Sequence, residues 1–375
     1  MSLVDLLDLA GLTGRGGAAF KTAIKIGAAQ ANGAELIVNV CDGEIGAAKD
    51  AWVVEHKLEE LLYGVDQVTR REVRFATHRG SAAARRLRAA RLNVLEVPDR
   101  YVSSEESAIV AFANGDLARP IAKRRPIAFG GALTSGTPTP PTVVLNAETV
   151  WRIAQISAFG PEWFRTFGTP AEPGPRLISV NGAVGRPGVV EGAAGLTLRE
   201  IVARAGGPVD RVGSVNVSGL SGGWMTGGEA AAATWSNATL VKFGLSTGAG
   251  ILHIFDTATC PLSVARTWLI YARGETAGQC GPCLFGVPAV VDGLLAIIDG
   301  RPTPNSHPTV LTDRLNELRG RGACRFPDGI GAFITSVRRT FGKLLEQHAH
   351  GSCPTGACAA ADRARGNVRT LATAR

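Results

Sequence analysis

The sequence predicts an α/β fold in which a parallel sheet flanked by helices is followed by a small β-rich region and a helical bundle. Three observations support this prediction. Short apolar runs alternate with helical patterns over the first hundred residues, strand-like runs dominate residues 172–256, and helical periodicity fills residues 261–350. Strands that alternate with helices are typical of parallel sheets covered by helices.

The first region carries the alternation. Strands are predicted at 36–40, 72–77 and 93–97, and helices at 22–30, 51–63 and 80–91. The Pro-, Gly-, Thr- and Arg-rich run at 118–142 predicts a long ordered loop or a domain boundary. A helical pattern resumes at 147–156, and we place the first domain at residues 1–170.

The rest of the chain divides into three further parts. Strands are predicted at 177–180, 188–190, 214–218 and 250–255, with one helix that begins after an N-cap at Thr197. Helices are predicted at 262–272, 284–299, 309–318 and 329–348. The predicted domains are residues 171–258 and 259–350, followed by a tail at 351–375 that we expect to be poorly ordered.

Composition excludes several classes of protein. No apolar run reaches about 18 residues, so we expect no membrane-spanning helix. The first ten residues contain Asp5 and Asp8 and no basic residue, unlike a secretory signal, so we expect a cytoplasmic location. The net charge of +8 is not accompanied by a nucleic-acid-binding motif. It favours an acidic protein partner or plain solubility over nucleic acid.

Cysteine spacing indicates metal chemistry. Seven cysteines, an odd number, argue against a disulfide framework. Cys280 and Cys283 form a Cys-x-x-Cys pair at a predicted helix start, and Cys324 precedes another helix. These three thiols could hold a metal or cluster, with a redox dithiol or unrelated buried thiols as the alternatives. Cys353 and Cys358 form a second spaced pair, for which a separate metal role is the weaker alternative.

A glycine-rich segment near the start, Gly14 to Phe20 with Lys25 beyond it, has two interpretations. Closely spaced glycines expose backbone N–H groups and let a phosphate approach the chain. A helix that begins after them would add its N-terminal partial charge. The alternative is a tight turn that leads into a helix.

Three separated segments, in the same order, resemble the flavin-bearing subunit of respiratory complex I and of related NAD-linked hydrogenases and formate dehydrogenases. Residues 14–20 resemble the family's Gly-Arg-Gly-Gly-Ala-Gly-Phe flavin-phosphate loop. Residues 39–50 resemble its Asn-Ala-Asp-Glu-Gly-Glu-Pro-Gly segment, and residues 275–283 its Glu-Ser-Cys-Gly-Gln-Cys-Thr-Pro-Cys cluster motif. Weaker likenesses lie at 101–108 and 146–149.

The resemblance implies a Rossmann-like FMN-binding domain, a β-grasp (ubiquitin-like, SLBB-type) domain and a helical bundle that carries a [4Fe–4S] cluster. The implied FMN-binding residues are Gly14, Arg15, Gly16, Gly17, Ala18, Lys25, Asn39, Asp42 and Asn146. The implied catalytic residues beside the nicotinamide are Glu44, Glu105 and Glu106, and the implied cluster ligands are Cys280, Cys283 and Cys324.

Departures from the family pattern concern the cluster and the dinucleotide. The family's first cluster cysteine falls on Ala277, so a fourth ligand would come from elsewhere or from water, or the cluster would be a three-iron form. A helix over 329–348 would span about 30 Å and carry Cys353 away, whereas Cys260 stays open as a ligand. Phe20 and Phe129 are the only aromatic residues that match the family's adenine-stacking surface.

The expected function is that of an electron-transfer oxidoreductase. It would pass electrons between NADH or NADPH, FMN and the cluster to a ferredoxin, another iron–sulfur protein or a membrane redox subunit. The alternative is a non-catalytic adaptor or ligand-binding subunit of a redox complex with a decayed active site. His253 is interpreted as an interior histidine, and His348 and His350 as histidines that interact with a helix end.

Overall fold

A parallel four-stranded sheet forms the centre of the first region in the computed structural model, which describes residues 1–122, 125–207, 210–356 and 358. The strands of this region are β1 (Glu35–Asn39), β2 (Val73–His78), β3 (Val94–Val97), β4 (Gly131–Ala132), β5 (Pro138–Thr139) and β6 (Thr142–Asn146). The order of the main sheet is β3–β2–β1–β6, and β4 and β5 form a separate small hairpin. The predictions for β1, β2 and β3 are therefore confirmed, whereas β6 was not predicted.

Helices cover both faces of this sheet, which explains why Ile37 and Val38, neighbours that point to opposite faces of β1, are both fully buried. These helices are α1 (Leu3–Ala10), α2 (Thr22–Ala31), α3 (Lys49–His56), α4 (Leu58–Val68), α5 (Ala82–Ala89), α6 (Glu106–Ala113) and α7 (Ala147–Arg165). The single helix predicted at 51–63 is wrong, because the chain leaves helical geometry at Lys57, where φ is −135°.

The second region contains a five-stranded mixed sheet. Its elements are β7 (Pro175–Gly182), β8 (Gly188–Ala193), α8 (Leu198–Arg204), β9 (Val212–Val217), β10 (Gly223–Thr226), α9 (Gly227–Ala231), α10 (Asn237–Leu240) and β11 (Ile251–Asp256). The order is β10–β9–β11–β7–β8, with only β7 and β11 parallel. Thr197 is confirmed as the N-cap of α8, because its hydroxyl accepts from the Glu200 amide at 3.1 Å. Assignment of this sheet to the β-grasp class stays a prediction.

The third region is helical. Its helices are α11 (Pro261–Gly274), α12 (Val287–Ile298), α13 (Pro308–Leu318), α14 (Phe326–Thr340) and α15 (Gly342–Ala349), with a π-helical turn at Pro282–Gly286. The continuous helix predicted at 329–348 is wrong, because Phe341 interrupts it at φ −122° and packs on Trp224 with ring centroids 5.5 Å apart. The length argument against Cys353 therefore does not hold.

The end of the chain is only partly described. Residues 351–356 and 358 are placed, and both Cys353 and Cys358 are half-buried there. The expectation of a poorly ordered tail stays a prediction. Residue 357 and residues 359–375 lie outside the described part, where that expectation is not tested. Among the described residues, no helix combines the length and the apolar character needed to cross a bilayer.

Candidate functional site

A cleft opens at the carboxyl ends of β1 and β6. Asn39 and Asn146 end these two strands and are register partners across the sheet. Strands β2 and β3 continue the sheet beyond β1, and β6 lies on its other side, so the strand order reverses between β1 and β6. Open parallel sheets bind ligands outside the strand ends at such a reversal. The lining of the cleft includes Gly16, Asn39, Asp42, Glu44, Lys49, Tyr101, Glu105, Asn146 and Cys324.

The glycine-rich loop borders this cleft and leads directly into α2. The loop is closed by a hydrogen bond from the Gly14 amide to the Phe20 carbonyl at 2.8 Å. Gly17 has a φ of +105°, which favours glycine. A Cβ on Gly16 would lie 2.3 Å from Oδ1 of Asn146, so any other residue would displace that side chain. The exposed backbone of the loop therefore lies beside the side-chain amide of Asn146 at the end of β6. This arrangement fits the phosphate and the ring edge of a flavin nucleotide.

Two of the basic residues predicted to bind the cofactor have protein partners. The Arg15 guanidinium is buried and donates to the carbonyls of Pro173 and Pro175 at 3.4 and 3.2 Å. It therefore ties the loop to the start of β7 and supports the loop's shape. Lys25 forms an ion pair with Glu106 at 2.8 Å, with about a quarter of the Lys25 side chain exposed to solvent. Lys25 lies in the first turn of α2, the helix that follows the loop.

The three predicted catalytic carboxylates differ in their surroundings. Glu44 accepts from the amides of Leu220 and Ser221 at 2.8 and 3.1 Å, and also from the Tyr101 hydroxyl. Burial raises the pKa of Glu44 against these hydrogen bonds, which lower it. These hydrogen bonds link the first region, which contains Glu44, to the turn at Gly219–Ser221 before β10.

Glu105 and Glu106 both belong to the start of α6. Glu105 is the N-cap of this helix, and its carboxylate accepts from the amides of Ser107 and Ala108 at 2.7 and 3.1 Å. Glu105 lines the cleft, whereas Glu106 is the partner of Lys25. The structure therefore brings Glu44 and Glu105 to the cleft.

Asp42 and Asn39 shape the chain that follows β1. Asp42 accepts from the amides of Asp50 and Ala51 at 3.1 and 2.7 Å and so caps α3. Burial, and then the charge of Asp50, raise the pKa of Asp42 to about 7. The Asn39 side chain donates to the Ser104 carbonyl at 3.0 Å and accepts from the Cys41 amide at 3.0 Å. Both residues fix the loop that lines the cleft.

A buried charge network, which the sequence analysis did not single out, lies beneath the cleft. Lys49 pairs with Asp50 at 2.8 Å and with Glu148 at 3.3 Å, and all three side chains are at most 3% exposed. Asp50 accepts from the Asn146 amide group at 3.2 Å. Burial alone would lower the pKa of Lys49, but Asp50 and Glu148 raise it and keep the ammonium charged. Lys49 and Asp50 are adjacent at the end of the family-like segment 39–50, and this pair is the sequence feature that could have indicated the network.

The three predicted cluster cysteines lie in one part of the helical region. Cys283 is buried, and Cys280 and Cys324 are half-buried against the same apolar core. Burial, and then the neighbouring Cys280 thiol, raise the pKa of Cys283 to about 11, with a smaller contribution from Cys324. The Ala277 amide donates to the Cys283 sulfur. Three thiols and an N–H donor fit an iron–sulfur cluster for which Ala277 supplies no side-chain ligand.

A second group of potential metal ligands lies elsewhere in the helical region, and the sequence analysis offered only its Cys353 and Cys358 pair, as the weaker alternative. It comprises Cys260, His348, Cys353 and Cys358. His348 is buried in this group, and its Nδ1 lies 3.0 Å from the carbonyl oxygen of Ile298, the last residue of α12, so the predicted helix-end interaction is confirmed. His253, by contrast, is an interior histidine as predicted, with Nε2 lying 3.0 Å from the Ile45 carbonyl oxygen.

His253 predicts a specific acid sensitivity. Burial lowers its pKa to about 4, whereas an unfolded histidine titrates near 6.5. Between these two pKa values the imidazole is protonated in the unfolded chain but neutral in the native one. The free energy of unfolding therefore decreases as pH falls below 6.5. We expect His253 to account for about 2 kcal/mol of the decrease in unfolding free energy between pH 7 and pH 5. Urea unfolding at each pH should show that His253→Gln removes this decrement and that the exposed His350→Gln does not.

Comparison with known proteins agrees with this arrangement. The Nuo51 FMN-binding domain model matches residues 7–155, and the NADH-ubiquinone oxidoreductase-F iron-sulfur binding region model matches residues 263–348. The F subunit of the NADH-quinone oxidoreductase of Streptomyces coelicolor is 28% identical over 94% of this chain and 84% of its own length. The HndC subunit of the NADP-reducing hydrogenase of Solidesulfovibrio fructosivorans is 28% identical over 96% of this chain and 78% of its own.

A solved hydrogenase structure has a similar fold. A chain of the NAD+-reducing [NiFe]-hydrogenase in the air-oxidised state superposes with a TM-score of 0.79 at 28% identity over 92% of this chain. The present chain spans 62% of that hydrogenase chain. The two family models together cover more than half of the sequence and fall on the regions that hold the cleft and the three thiols. The chain therefore belongs to the family of NADH-dehydrogenase-type FMN and iron–sulfur subunits of complex I-like enzymes and NAD-reducing hydrogenases.

Proposed function

We propose that this chain passes electrons between NADH or NADPH, FMN and an iron–sulfur cluster, and delivers them to a ferredoxin or a membrane redox subunit. One observation carries the proposal. Cys324 lines the same cleft as Asn39 and Asn146, so a proposed cluster ligand would border the proposed flavin site. Electron transfer between cofactors requires them to lie close together. Cys324 lies just before α14, which begins at Phe326, so the start of this helix positions the thiol at the cleft.

The residues around the cleft would divide the work of binding. The backbone at Gly14, Gly16, Gly17 and Ala18 would hold the FMN phosphate with Lys25 near by, and Asn39 and Asn146 would hold the ring system. Bound FMN takes a hydride from a nicotinamide and releases single electrons to a cluster. Glu44 and Glu105 are anchored by backbone amides, so their charges hold fixed positions beside the cleft.

A dinucleotide would approach over the outer side of α2. Phe20 and Phe129 are 53% and 44% exposed, and the short turn at Ile127–Phe129 packs on α2. Exposed aromatic faces of this kind can stack on an adenine ring. These two rings are the features that favour a nicotinamide dinucleotide as electron donor.

Anaerobic purification and spectroscopy test the proposal. We expect flavin absorption bands together with a broad band, iron and acid-labile sulfide in the purified protein, and a cluster signal in electron paramagnetic resonance after reduction. Addition of NADH or NADPH should bleach the flavin bands. Protein that binds flavin and cluster but is bleached only by a reduced ferredoxin would contradict the dinucleotide part of the proposal.

A second candidate function is a non-catalytic adaptor within a redox complex. Ala277 favours it, because this residue leaves the cluster motif one thiol short. Protein that remains colourless after reconstitution with FMN, iron and sulfide would support this adaptor function and contradict electron transfer.

The substitution Ala277→Cys tests how the cluster is held. Ala277 is only 6% exposed, and its amide donates to the sulfur of Cys283, a proposed cluster ligand, so the substitution would add a thiol beside the proposed cluster. We expect higher iron retention during exposure to air and a spectrum that shifts toward four-thiolate ligation. Thr276→Cys, one position away, is the matched control and should leave iron retention unchanged. Equal effects of the two substitutions would argue against a cluster at this position.

The basic charge of the chain suits an acidic ferredoxin. Positive surface charge accelerates association with an acidic partner and makes association sensitive to salt. We expect the association rate with an acidic ferredoxin to fall about tenfold or more between low and physiological ionic strength. Stopped-flow measurement over a series of salt concentrations gives this dependence, and a rate that does not change with salt would exclude docking driven by charge.

A further inference from the structure

Four metal-binding side chains converge in the helical region, outside the set that the cluster motif supplies. They are Cys260, His348, Cys353 and Cys358, and their ligand atoms all lie within 4.8 Å of one another. Cys260 immediately precedes α11, His348 lies near the end of α15, and the two remaining cysteines follow that helix. The group therefore joins two separate stretches of chain, the start of α11 and the segment from the end of α15 to Cys358.

The orientation of His348 leaves one ring nitrogen available to a metal. Its Nδ1 lies 3.0 Å from the Ile298 carbonyl oxygen, which requires a proton on Nδ1. The Nε2 lone pair then faces the Cys260 sulfur at 3.6 Å. A histidine that donates one N–H to a backbone carbonyl while the other nitrogen is free is the usual arrangement of a metal ligand.

Backbone contacts and a turn also position the three thiols of the group. The Cys260 sulfur accepts from the backbone amides of Leu262 and Ser263 in the first turn of α11, so these amides orient it toward the group. Between the other two cysteines, the Gly356 amide donates to the Cys353 carbonyl at 3.0 Å, and Gly356 has a φ of +64°. This turn reverses the chain and returns Cys358 to the group. Both tail cysteines pack against the apolar core of the helices.

We propose that Cys260, His348, Cys353 and Cys358 bind one zinc ion as a closed structural site. A tetrahedral ion with Zn–S and Zn–N bonds of about 2.3 and 2.05 Å places sulfur and nitrogen about 3.6 Å apart. That is the separation of the Cys260 sulfur and the His348 Nε2. Three thiolates and one imidazole in tetrahedral geometry favour zinc over harder cations.

A single ion suits the group better than an iron–sulfur cluster. The thiolates of a cluster bind different irons, so their sulfurs lie further apart than the ligands of one ion. The compact spread of 4.8 Å therefore argues for one ion. All four positions come from the protein, so no site stays open for a substrate, which is typical of structural zinc. The ion would link the start of α11 to the end of α15. Because the unfolded chain lacks this site, the free energy of zinc binding would add to the free energy of folding.

Metal analysis of the full-length protein tests this site. After dialysis against a chelator to remove loosely bound ions, we expect about one zinc ion per chain in addition to the iron. Cobalt(II) exchanged into the site should give the intense visible bands of tetrahedral thiolate coordination. Absence of zinc from protein produced with zinc present, combined with a cobalt spectrum that lacks these bands, would overturn the proposal.

Substitutions separate the zinc site from the cluster. The double substitution Cys353→Ser and Cys358→Ser should reduce bound zinc at least tenfold with iron and flavin retained. Cys280→Ser should show the reverse, and Cys41→Ala, a buried thiol outside both groups, should change neither metal. If the double variant does not fold, His348→Cys keeps four ligands and should still bind zinc. Zinc that persists in the double variant, or a disulfide between Cys353 and Cys358 in anaerobically purified protein, would refute the site.

Discussion

Cys324→Ser is expected to strip the protein of iron while FMN stays bound. With Ala277 already at the first ligand position of the motif, loss of Cys324 leaves only Cys280 and Cys283 of the proposed cluster ligands. Loss of even an outer partner of a metal ligand costs about 10–100-fold in affinity, so loss of a direct ligand should reduce bound iron at least that far. Iron, labile sulfide and flavin measured on the same anaerobic sample give the result.

The same variant separates the two halves of the electron path. Dinucleotide should still bleach the flavin of Cys324→Ser, but electrons should no longer reach a one-electron acceptor that depends on the cluster. Cys41→Ala is the matched control, because Cys41 is buried in the first region, in a core cluster separate from that of the helical region. Full iron content in Cys324→Ser would remove Cys324 from the proposed ligand set.

Gly16→Ala is expected to lower the affinity for FMN by at least about tenfold, or about 1.4 kcal/mol. The new Cβ would lie 2.3 Å from Oδ1 of Asn146, closer than any non-bonded contact allows. Asn146 would have to rotate and lose its hydrogen bond to Asp50. The loop and a proposed flavin ligand would therefore be displaced together. Titration of the apoprotein with FMN, followed by quenching of flavin fluorescence, measures the change.

Gly14→Ala provides the comparison in the same loop. A Cβ at Gly14 would make only an ordinary contact of 3.7 Å with the Phe20 carbonyl oxygen. We expect FMN affinity within about twofold of that of the unmodified chain, because this substitution keeps the backbone N–H groups of the loop and its Cβ displaces no neighbour. If the two alanine variants bound FMN equally well, the flavin would have to lie elsewhere than beside Asn146.

The sequence predicted most of the parallel sheet but not its last strand. β1, β2 and β3 are apolar runs bounded by turn residues, and periodicity alone identifies them. β6 follows directly after the Pro- and Gly-rich stretch 118–142, and its apolar core of Val143, Val144 and Leu145 is too short to stand out. It becomes a strand because its backbone pairs with β1, which is a tertiary effect that local propensity does not contain.

Local motifs identified the parts of the candidate site that are contiguous in the chain. The Gly14–Phe20 loop, Asn39 and Asn146 were all selected from short segments, and the loop, through Gly16, borders the cleft that Asn39 and Asn146 line. The network of Lys49, Asp50 and Glu148 was not selected, because its members look like ordinary solvated charges until the fold buries them. Cys353 and Cys358 were noted as a spaced pair, but Cys260 and His348 were not joined to them, because these two residues are 88 positions apart and only the fold brings them together.

The pairing of β1 with β6 sets the order in which this protein can become functional during synthesis. Asn39 leaves the ribosome long before Asn146, yet each completes the cleft only beside the other. Contacts this remote in sequence form slowly, because a long loop must close first. The nascent chain therefore cannot capture its nucleotide until more than a third of it has been translated, and an N-terminal fragment that stops before β6 should not bind the flavin at all.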